Sequence, residues 1–121
     1  MYINRKFIFV AGAPRCGTTS LFRYLNSHPN IYGHYTKETC YFLDQGYFPE
    51  SYNQTQLFSN YHAEGLDGYL KIFAQADDNQ ILLDATPDYL YQQTFRAMLS
   101  QFEVKPLLVF CLRKPAHRIY S

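Results

Sequence analysis

Residues 12–19 (GAPRCGTT) contain two glycines separated by four residues, which is the spacing of a loop that wraps around a phosphate. In such a loop, backbone N–H groups and the N-terminus of the following helix point at the anion. The loop of a nucleotide kinase continues with a lysine, whereas this sequence has Thr18 there and carries its basic residue, Arg15, inside the loop. The positive charge is therefore moved toward the reacting end of a ligand with a single 5′-phosphate, which argues against a kinase.

The residues around this loop predict a strand, the loop and a helix, in that order. Residues 6–12 (KFIFVAG) form a nearly continuous apolar run, which is typical of a strand buried on both faces. Within residues 18–27, Leu21, Phe22 and Leu25 recur at helical spacing. The same criteria predict strands at residues 31–33, 81–84 and 106–112, the last being the clearest buried strand, helices at residues 68–76 and 89–102, and a long surface loop at residues 44–65.

Strands that alternate with helices indicate an α/β fold with a P-loop-like parallel sheet flanked by helices. Ligands bind at the carboxyl ends of the strands in such sheets, so we expect the site at the loops after Gly12, Asp84 and Leu112. No repeat, low-complexity tract or linker interrupts the sequence, which predicts a single domain over residues 1–121.

Composition excludes several classes of protein. With 47% hydrophobic and 17% charged residues, the chain is predicted to be globular rather than disordered, and it has no apolar run long enough to span a membrane. The apolar stretch at residues 7–11 is short and leads into a glycine-rich turn, so we expect no signal peptide. Three cysteines at unrelated spacings imply neither a disulfide scaffold nor a zinc site, and they favour a cytoplasmic location.

Charge is distributed unevenly along the chain, although the net charge is only +1. Residues 1–37 and 104–121 carry five and four basic residues and no acid, whereas residues 38–103 hold all ten acids. If folding joins the two basic ends, they form a site for an anion with more than one charged group; the alternative is chance clustering on solvated faces. The 12 Tyr and 10 Phe residues are interpreted as core and lid rather than as a nucleic-acid surface.

Residues 14–21 (PRCGTTSL) resemble the 5′-phosphosulfate loop of the sulfotransferases, which use 3′-phosphoadenosine 5′-phosphosulfate (PAPS) as donor. Many members have a lysine at the place of Arg15, and an arginine there keeps the charge but changes the hydrogen-bonding geometry. The resemblance implies that the 5′-phosphate is bound by Arg15 and by backbone N–H groups of Cys16, Gly17, Thr18, Thr19 and Ser20.

A second element, residues 37–42 (KETCYF), is similar to the KExxFF element of the Golgi-type and bacterial branches of this family. The similarity implies that Glu38 is the general base for the acceptor and that Lys37 lies beside the transferring group. A carboxylate can accept the acceptor's proton if burial raises its pKa. His34 is the alternative base, because the cytosolic small-molecule sulfotransferases use a histidine.

Two further segments resemble the family. Residues 112–121 (LRKPAHRIYS) are similar to its 3′-phosphate loop, which implies that Arg113 and Ser121 bind the 3′-phosphate. Residues 84–89 (DATPDY) resemble the segment before its TPxY turn. Asp84 and Asp88 there are either structural or contacts for a cationic acceptor or a partner.

Together these resemblances imply the N-terminal part of a sulfotransferase domain that transfers the sulfuryl group of PAPS to a hydroxyl or amine and releases adenosine 3′,5′-bisphosphate (PAP). No metal is expected, because the sulfuryl group carries less charge than a γ-phosphoryl group. The rival functions are a non-catalytic nucleotide-binding or assembly module and, with less support, a P-loop nucleotide kinase.

The sequence leaves the acceptor open among carbohydrates, lipids, small metabolites and peptides. No nucleic-acid partner is expected. Because the helix predicted after Arg113 is cut short, the domain is interpreted as truncated at its C-terminus, and we expect a homo-oligomer or a missing C-terminal segment to cover the sheet.

Overall fold

The computed structural model describes residues 3–14, 16–34, 38–47 and 59–112. Four described strands form one sheet in the order β2-β3-β1-β4: β1 (Phe7–Gly12), β2 (Ile31–Gly33), β3 (Ile81–Asp84) and β4 (Leu107–Phe110). Every pairing among them is parallel. The predicted α/β fold is therefore confirmed, and so is the place of each predicted strand.

Strand β1 lies in the interior of the sheet, and all six of its residues are buried. Its side chains alternate between two apolar clusters, as the pleat of a strand requires. Phe7 and Phe9 belong to the larger cluster, with Tyr69 and Phe95 from the helices on that face. Ile8 and Val10 belong to the smaller cluster, which contains the helical residue Phe22. The sheet is thus covered by helices on both faces, as a parallel sheet requires.

Helix α1 (Thr18–Asn26) covers the smaller cluster and packs closely on β2. Gly33 N donates a hydrogen bond of 2.7 Å to Asn26 Oδ1. A Cβ atom at Gly33 would lie 2.7 Å from Cε1 of Phe22, so a side chain there would force the Phe22 ring to shift. The helix predicted at residues 18–27 is confirmed to within one residue.

Helix α2 (Tyr61–Ile72) corrects the prediction of a surface loop up to residue 65 and a helix at residues 68–76. Asn60 caps the helix, because its Oδ1 accepts a 2.9 Å hydrogen bond from Ala63 N. Gly65, with φ of 62°, interrupts the helical backbone, and the polar composition of this stretch conceals the periodicity. Residues 48–58 of the predicted loop lie outside the described residues.

The prediction of a single helix at residues 89–102 is wrong. The structure has a 3₁₀ helix at Pro87–Tyr91, helix α3 at Gln93–Met98 and a 3₁₀ turn at Leu99–Gln101. Gln92 separates the first two with an extended backbone, and its buried side chain accepts a 2.6 Å hydrogen bond from Asp44 N. A tertiary contact has overridden local helical propensity here.

Strand β4 is not the buried strand that its sequence predicts. It pairs with β1 and is the last strand in the described order, so it lies at an edge. Leu107 and Phe110 are 59% and 44% exposed. Within the described ranges no helix is long and apolar enough to cross a membrane.

Asp44 stabilises the beginning of α3, because its carboxylate accepts hydrogen bonds from Gln93 N at 3.1 Å and Thr94 N at 2.7 Å. Burial raises the pKa of Asp44, but these hydrogen bonds and the charge of Arg96 outweigh burial and hold that pKa below its usual value of 3.8. The ionised carboxylate therefore stabilises the fold fully above the unfolded-state pKa, and this contribution is lost as the pH falls through the lower folded-state pKa.

We predict that Asp44→Ala lowers the free energy of unfolding by about 1 kcal/mol at neutral pH. Urea unfolding measures this loss, and Asp67→Ala, at an exposed position of α2, is the matched control. The difference between Asp44→Ala and the unmodified protein should narrow as the pH falls below 3.8. An equal loss in both variants, or a difference independent of pH, would contradict the capping role.

Candidate functional site

The carboxyl ends of β1 and β4 lie side by side and are joined by two backbone hydrogen bonds. Cys111 N donates to Gly12 O at 2.7 Å, and Ala13 N donates to Cys111 O at 2.8 Å. The chain that enters the predicted 5′-phosphate loop is therefore fixed to the chain that leaves β4. Arg113 follows Cys111 by two residues but lies, with Ser121, outside the described residues.

The predicted phosphate loop turns sharply into the first turn of α1. Cys16 N donates to Ala13 O at 3.2 Å, and Gly17 then adopts φ of 84° and ψ of 17° at the N-cap of the helix. A residue with a Cβ atom pays about 1–2 kcal/mol for that left-handed conformation. At the other end of the loop, a Cβ atom on Gly12 would lie 2.9 Å from Cβ of Leu90. Gly17 is thus favoured by its left-handed backbone, and Gly12 by the close approach of Leu90.

The other predicted phosphate ligands differ in exposure. Thr19 and Ser20 are exposed in the first turn of the nine-residue α1, which contains no acidic residue, whereas the Thr18 side chain is buried. Cys16 is partly buried. This helix N-terminus suits an anion, because its N–H groups and the helix dipole point outward. Arg15 lies outside the described residues.

Glu38 is half-buried and begins a segment that is tied to the end of β3. Thr39 Oγ1 donates to Asp84 Oδ2 at 2.8 Å, and Cys40 N donates to Thr86 Oγ1 at 3.3 Å. Strand β3 is the neighbour of β1 on the side opposite β4. The predicted base thus belongs to a segment anchored one strand away from the phosphate loop, while Lys37 lies outside the described residues.

Asp84 is fully buried and accepts hydrogen bonds from four hydroxyl groups, those of Thr39, Tyr69, Thr86 and Tyr89. Burial raises the pKa of Asp84, and the hydrogen bonds from the hydroxyl groups oppose this effect. A carboxylate enclosed in this way cannot meet a cationic acceptor. The structural alternative is therefore the correct one for Asp84, and sequence reasoning missed the importance of its partners.

His34, the alternative base, follows the last residue of β2 and lines a cavity of about 390 Å³ against α2. Burial lowers the pKa of His34, which favours its neutral imidazole. Two charged residues of α2, Glu64 and Lys71, line the same cavity. Glu64 falls within the predicted loop at residues 44–65 and Lys71 within the helix predicted at residues 68–76, so the sequence did not indicate that they share a cavity wall.

The cavity lies on the outer side of β3 from the phosphate loop, because the strand order places β3 between β2 and β1. Two strand spacings amount to about 10 Å. The structure therefore brings the phosphate loop, the exit of β4 and the Glu38 segment to one end of the sheet, with His34 farther out. Among the described residues, no group of three or more His, Cys, Asp or Glu residues is placed to hold a metal ion.

The chain is similar in sequence to known proteins. Residues 8–120 match the sequence model of the Sulfotransferase family. The chain is 30% identical over 115 residues to the membrane-associated sulfotransferase kil1 of Dictyostelium discoideum. The aligned region covers 93% of this chain and 21% of that protein. The chain is 26% identical over 120 residues to the human bifunctional heparan sulfate N-deacetylase/N-sulfotransferase 3, covering 96% of this chain and 12% of that protein.

A solved structure agrees in fold. The crystal structure of a sulfotransferase from Alicyclobacillus acidocaldarius superposes with a TM-score of 0.72 at 28% identity, covering 98% of this chain and 48% of that one. The chain thus spans about half of that structure and a smaller share of the curated relatives. Because the family match begins within β1 and continues through the phosphate loop to residue 120, this chain belongs to the sulfotransferase family.

Proposed function

We propose that the protein transfers the sulfuryl group of PAPS to a hydroxyl or amine acceptor and releases PAP. The observation that carries this proposal is the pair of hydrogen bonds between Gly12–Ala13 and Cys111. Through them, the loop that resembles a 5′-phosphosulfate site and the segment that resembles a 3′-phosphate site start from adjacent points of the sheet. A nucleotide that carries phosphates on both the 5′ and the 3′ positions of its ribose would fit two neighbouring anion sites.

The residues of the loop fit the donor's 5′ end. The N-terminus of α1 supplies N–H groups and the positive end of a helix dipole, and its first turn has no acidic residue to repel an anion. Arg15 adds a charge that is suited to the phosphosulfate, and Arg113 and Ser121 are assigned to the 3′-phosphate. Bound PAPS supplies the activated sulfuryl group, and the chain has to bind and orient it.

Glu38 is assigned as the general base. As the acceptor oxygen or nitrogen forms its bond to sulfur, the bond between sulfur and the 5′-phosphate oxygen breaks, and the acceptor's proton passes to the Glu38 carboxylate. Lys37 and Arg15 balance the charge on the sulfuryl oxygens and on the departing phosphate. The hydrogen bonds that anchor the segment after Glu38 to β3 support this assignment.

The acceptor is expected on the side of the sheet where β3 and β2 end, because the donor loops take the side of β1 and β4. The cavity at His34, with Glu64 and Lys71 in its wall, lies on that side. The class of acceptor, the cytoplasmic location of the protein and its self-association stay predictions.

The protein should bind PAP more tightly than AMP or ATP, and without a divalent metal. Neither AMP nor ATP has a 3′-phosphate, so neither can occupy both anion sites. Isothermal titration calorimetry with each nucleotide, with and without EDTA, measures the difference. Equal affinity for AMP, or a requirement for Mg²⁺, would contradict the proposed donor, and PAP binding without sulfate transfer would support a non-catalytic module instead.

Glu38→Gln should lower kcat by about 100- to 10,000-fold with little change in PAP affinity, because the amide keeps the shape but cannot accept a proton. His34→Ala is the matched variant and should retain turnover. Release of PAP from PAPS measures both rates. Normal turnover in Glu38→Gln combined with loss in His34→Ala would transfer the base role to the histidine.

Gly17→Ala should weaken PAP binding by about tenfold, the equivalent of about 1.4 kcal/mol, because alanine disfavours the left-handed backbone that starts α1. Gly46→Ala is the control: Gly46 has φ of 86°, and a Cβ atom there also meets nothing within 4 Å. Both variants should lose similar stability. A similar loss of PAP affinity in both would show that the effect is general destabilisation.

A further inference from the structure

We propose that Asp84 is a positioning residue, which acts through the hydroxyl of Thr39 to hold the backbone that carries Glu38. The inference rests on the proposed role of Glu38 as general base. Asp84 itself touches no substrate, because it is fully buried beneath the site.

The carboxylate of Asp84 collects hydroxyl donors from separate parts of the chain. Oδ2 accepts from Thr39 Oγ1 at 2.8 Å, Tyr69 OH at 2.6 Å and Tyr89 OH at 2.9 Å. Oδ1 accepts from Thr86 Oγ1 at 2.8 Å. Thr39 lies beside Glu38, Tyr69 lies in α2, and Thr86 and Tyr89 lie in the turn after β3. One carboxylate therefore fixes the distances among three segments.

The backbone next to Glu38 depends on this network. Cys40 has φ of 54°, which is unusual for a residue with a side chain and costs of order 1–3 kcal/mol. Cys40 N donates to Thr86 Oγ1, whose own hydroxyl hydrogen goes to Asp84, and Tyr41 N donates to Thr39 Oγ1 at 3.3 Å. The hydroxyl groups of Thr39 and Thr86, which both donate to Asp84, thus also accept the N–H bonds that hold the left-handed turn in place.

Apolar packing alone would not specify this turn. The aromatic rings of Tyr41 and Phe42 pack into the core, with Phe42 and Tyr69 ring centroids 4.5 Å apart, but such contacts tolerate small shifts along the chain. Hydrogen bonds weaken steeply with distance and angle, so they fix the backbone more narrowly. A displacement of about 1 Å at a reacting group can lower a rate by about 100-fold.

Thr39 is the best residue for a test, because Asp84→Asn would turn an acceptor into a donor in the core and endanger folding. Thr39→Val removes the hydroxyl at nearly constant shape, and Thr39→Ser retains it. Tyr69→Phe is the matched control, because it removes a donor to the same Oδ2 atom from the side of α2. Urea unfolding should give similar stability losses for Thr39→Val and Tyr69→Phe.

In the full chain, Thr39→Val should lower kcat for PAP release from PAPS by about 10- to 100-fold, while PAP affinity and the KM for PAPS change little. Thr39→Ser should recover most of the rate, and Tyr69→Phe should retain it. The proposal is overturned if Thr39→Val keeps a normal kcat, if Thr39→Ser is as slow as Thr39→Val, or if Tyr69→Phe is equally slow at equal stability.

Failure of the proposed function gives a different result. If the unmodified protein binds PAP but releases none from PAPS, the catalytic assignment fails, and amide hydrogen exchange then decides the positioning claim. Thr39→Val should speed exchange at Cys40 and Tyr41 more than Tyr69→Phe does at matched stability. Equal exchange rates in the two variants would overturn the claim.

Discussion

The buried carboxylate of Asp84 is the interaction on which the end of the sheet depends. Removing a carboxylate from water costs several kcal/mol unless its oxygens are hydrogen-bonded, and four hydroxyl groups supply those bonds here. Each such bond to a charged group contributes about 1.5–3 kcal/mol, so losing one donor is tolerable, whereas losing the carboxylate removes all four. The segment after Glu38, α2 and the turn after β3 therefore take up their positions together.

The order of the parallel strands determines where substrates can lie. β1 is flanked by β4 on one side and by β3 on the other, so the loops after all three strands open at one end of the sheet. The basic stretches at residues 1–37 and 104–121 include the adjacent strands β1 and β4, but Arg5 and Lys6 precede β1 and Lys105 precedes β4, so these three residues lie at the other end of the sheet. Arg15, Lys37 and Arg113 lie outside the described residues, so a single electropositive donor site stays a prediction.

Sequence patterns predicted an element correctly where interactions within that element determine its structure. The apolar run of β1, the glycine turn at Gly17 and the helical spacing of Leu21, Phe22 and Leu25 predicted the strand, loop and helix within one residue. They failed where distant residues decide the structure. The carboxylate of Asp44 accepts a hydrogen bond from the first residue of α3, which lies 49 residues further along the chain. The hydrogen-bond partners of Asp84 lie up to 45 residues from it. Neither contact has a periodic signature, and the apolar run of β4 does not indicate that this strand lies at the edge of the described sheet.

The proposed donor site requires one nucleotide to contact both the loop after β1 and the segment after β4. Amide hydrogen–deuterium exchange of the full chain, with and without saturating PAP, tests it directly. We predict that PAP slows exchange in residues 16–21 and in residues 111–121 together, with the same dependence on PAP concentration. Protection confined to one of these segments, or identical protection by AMP, would show that the two segments do not bind one nucleotide.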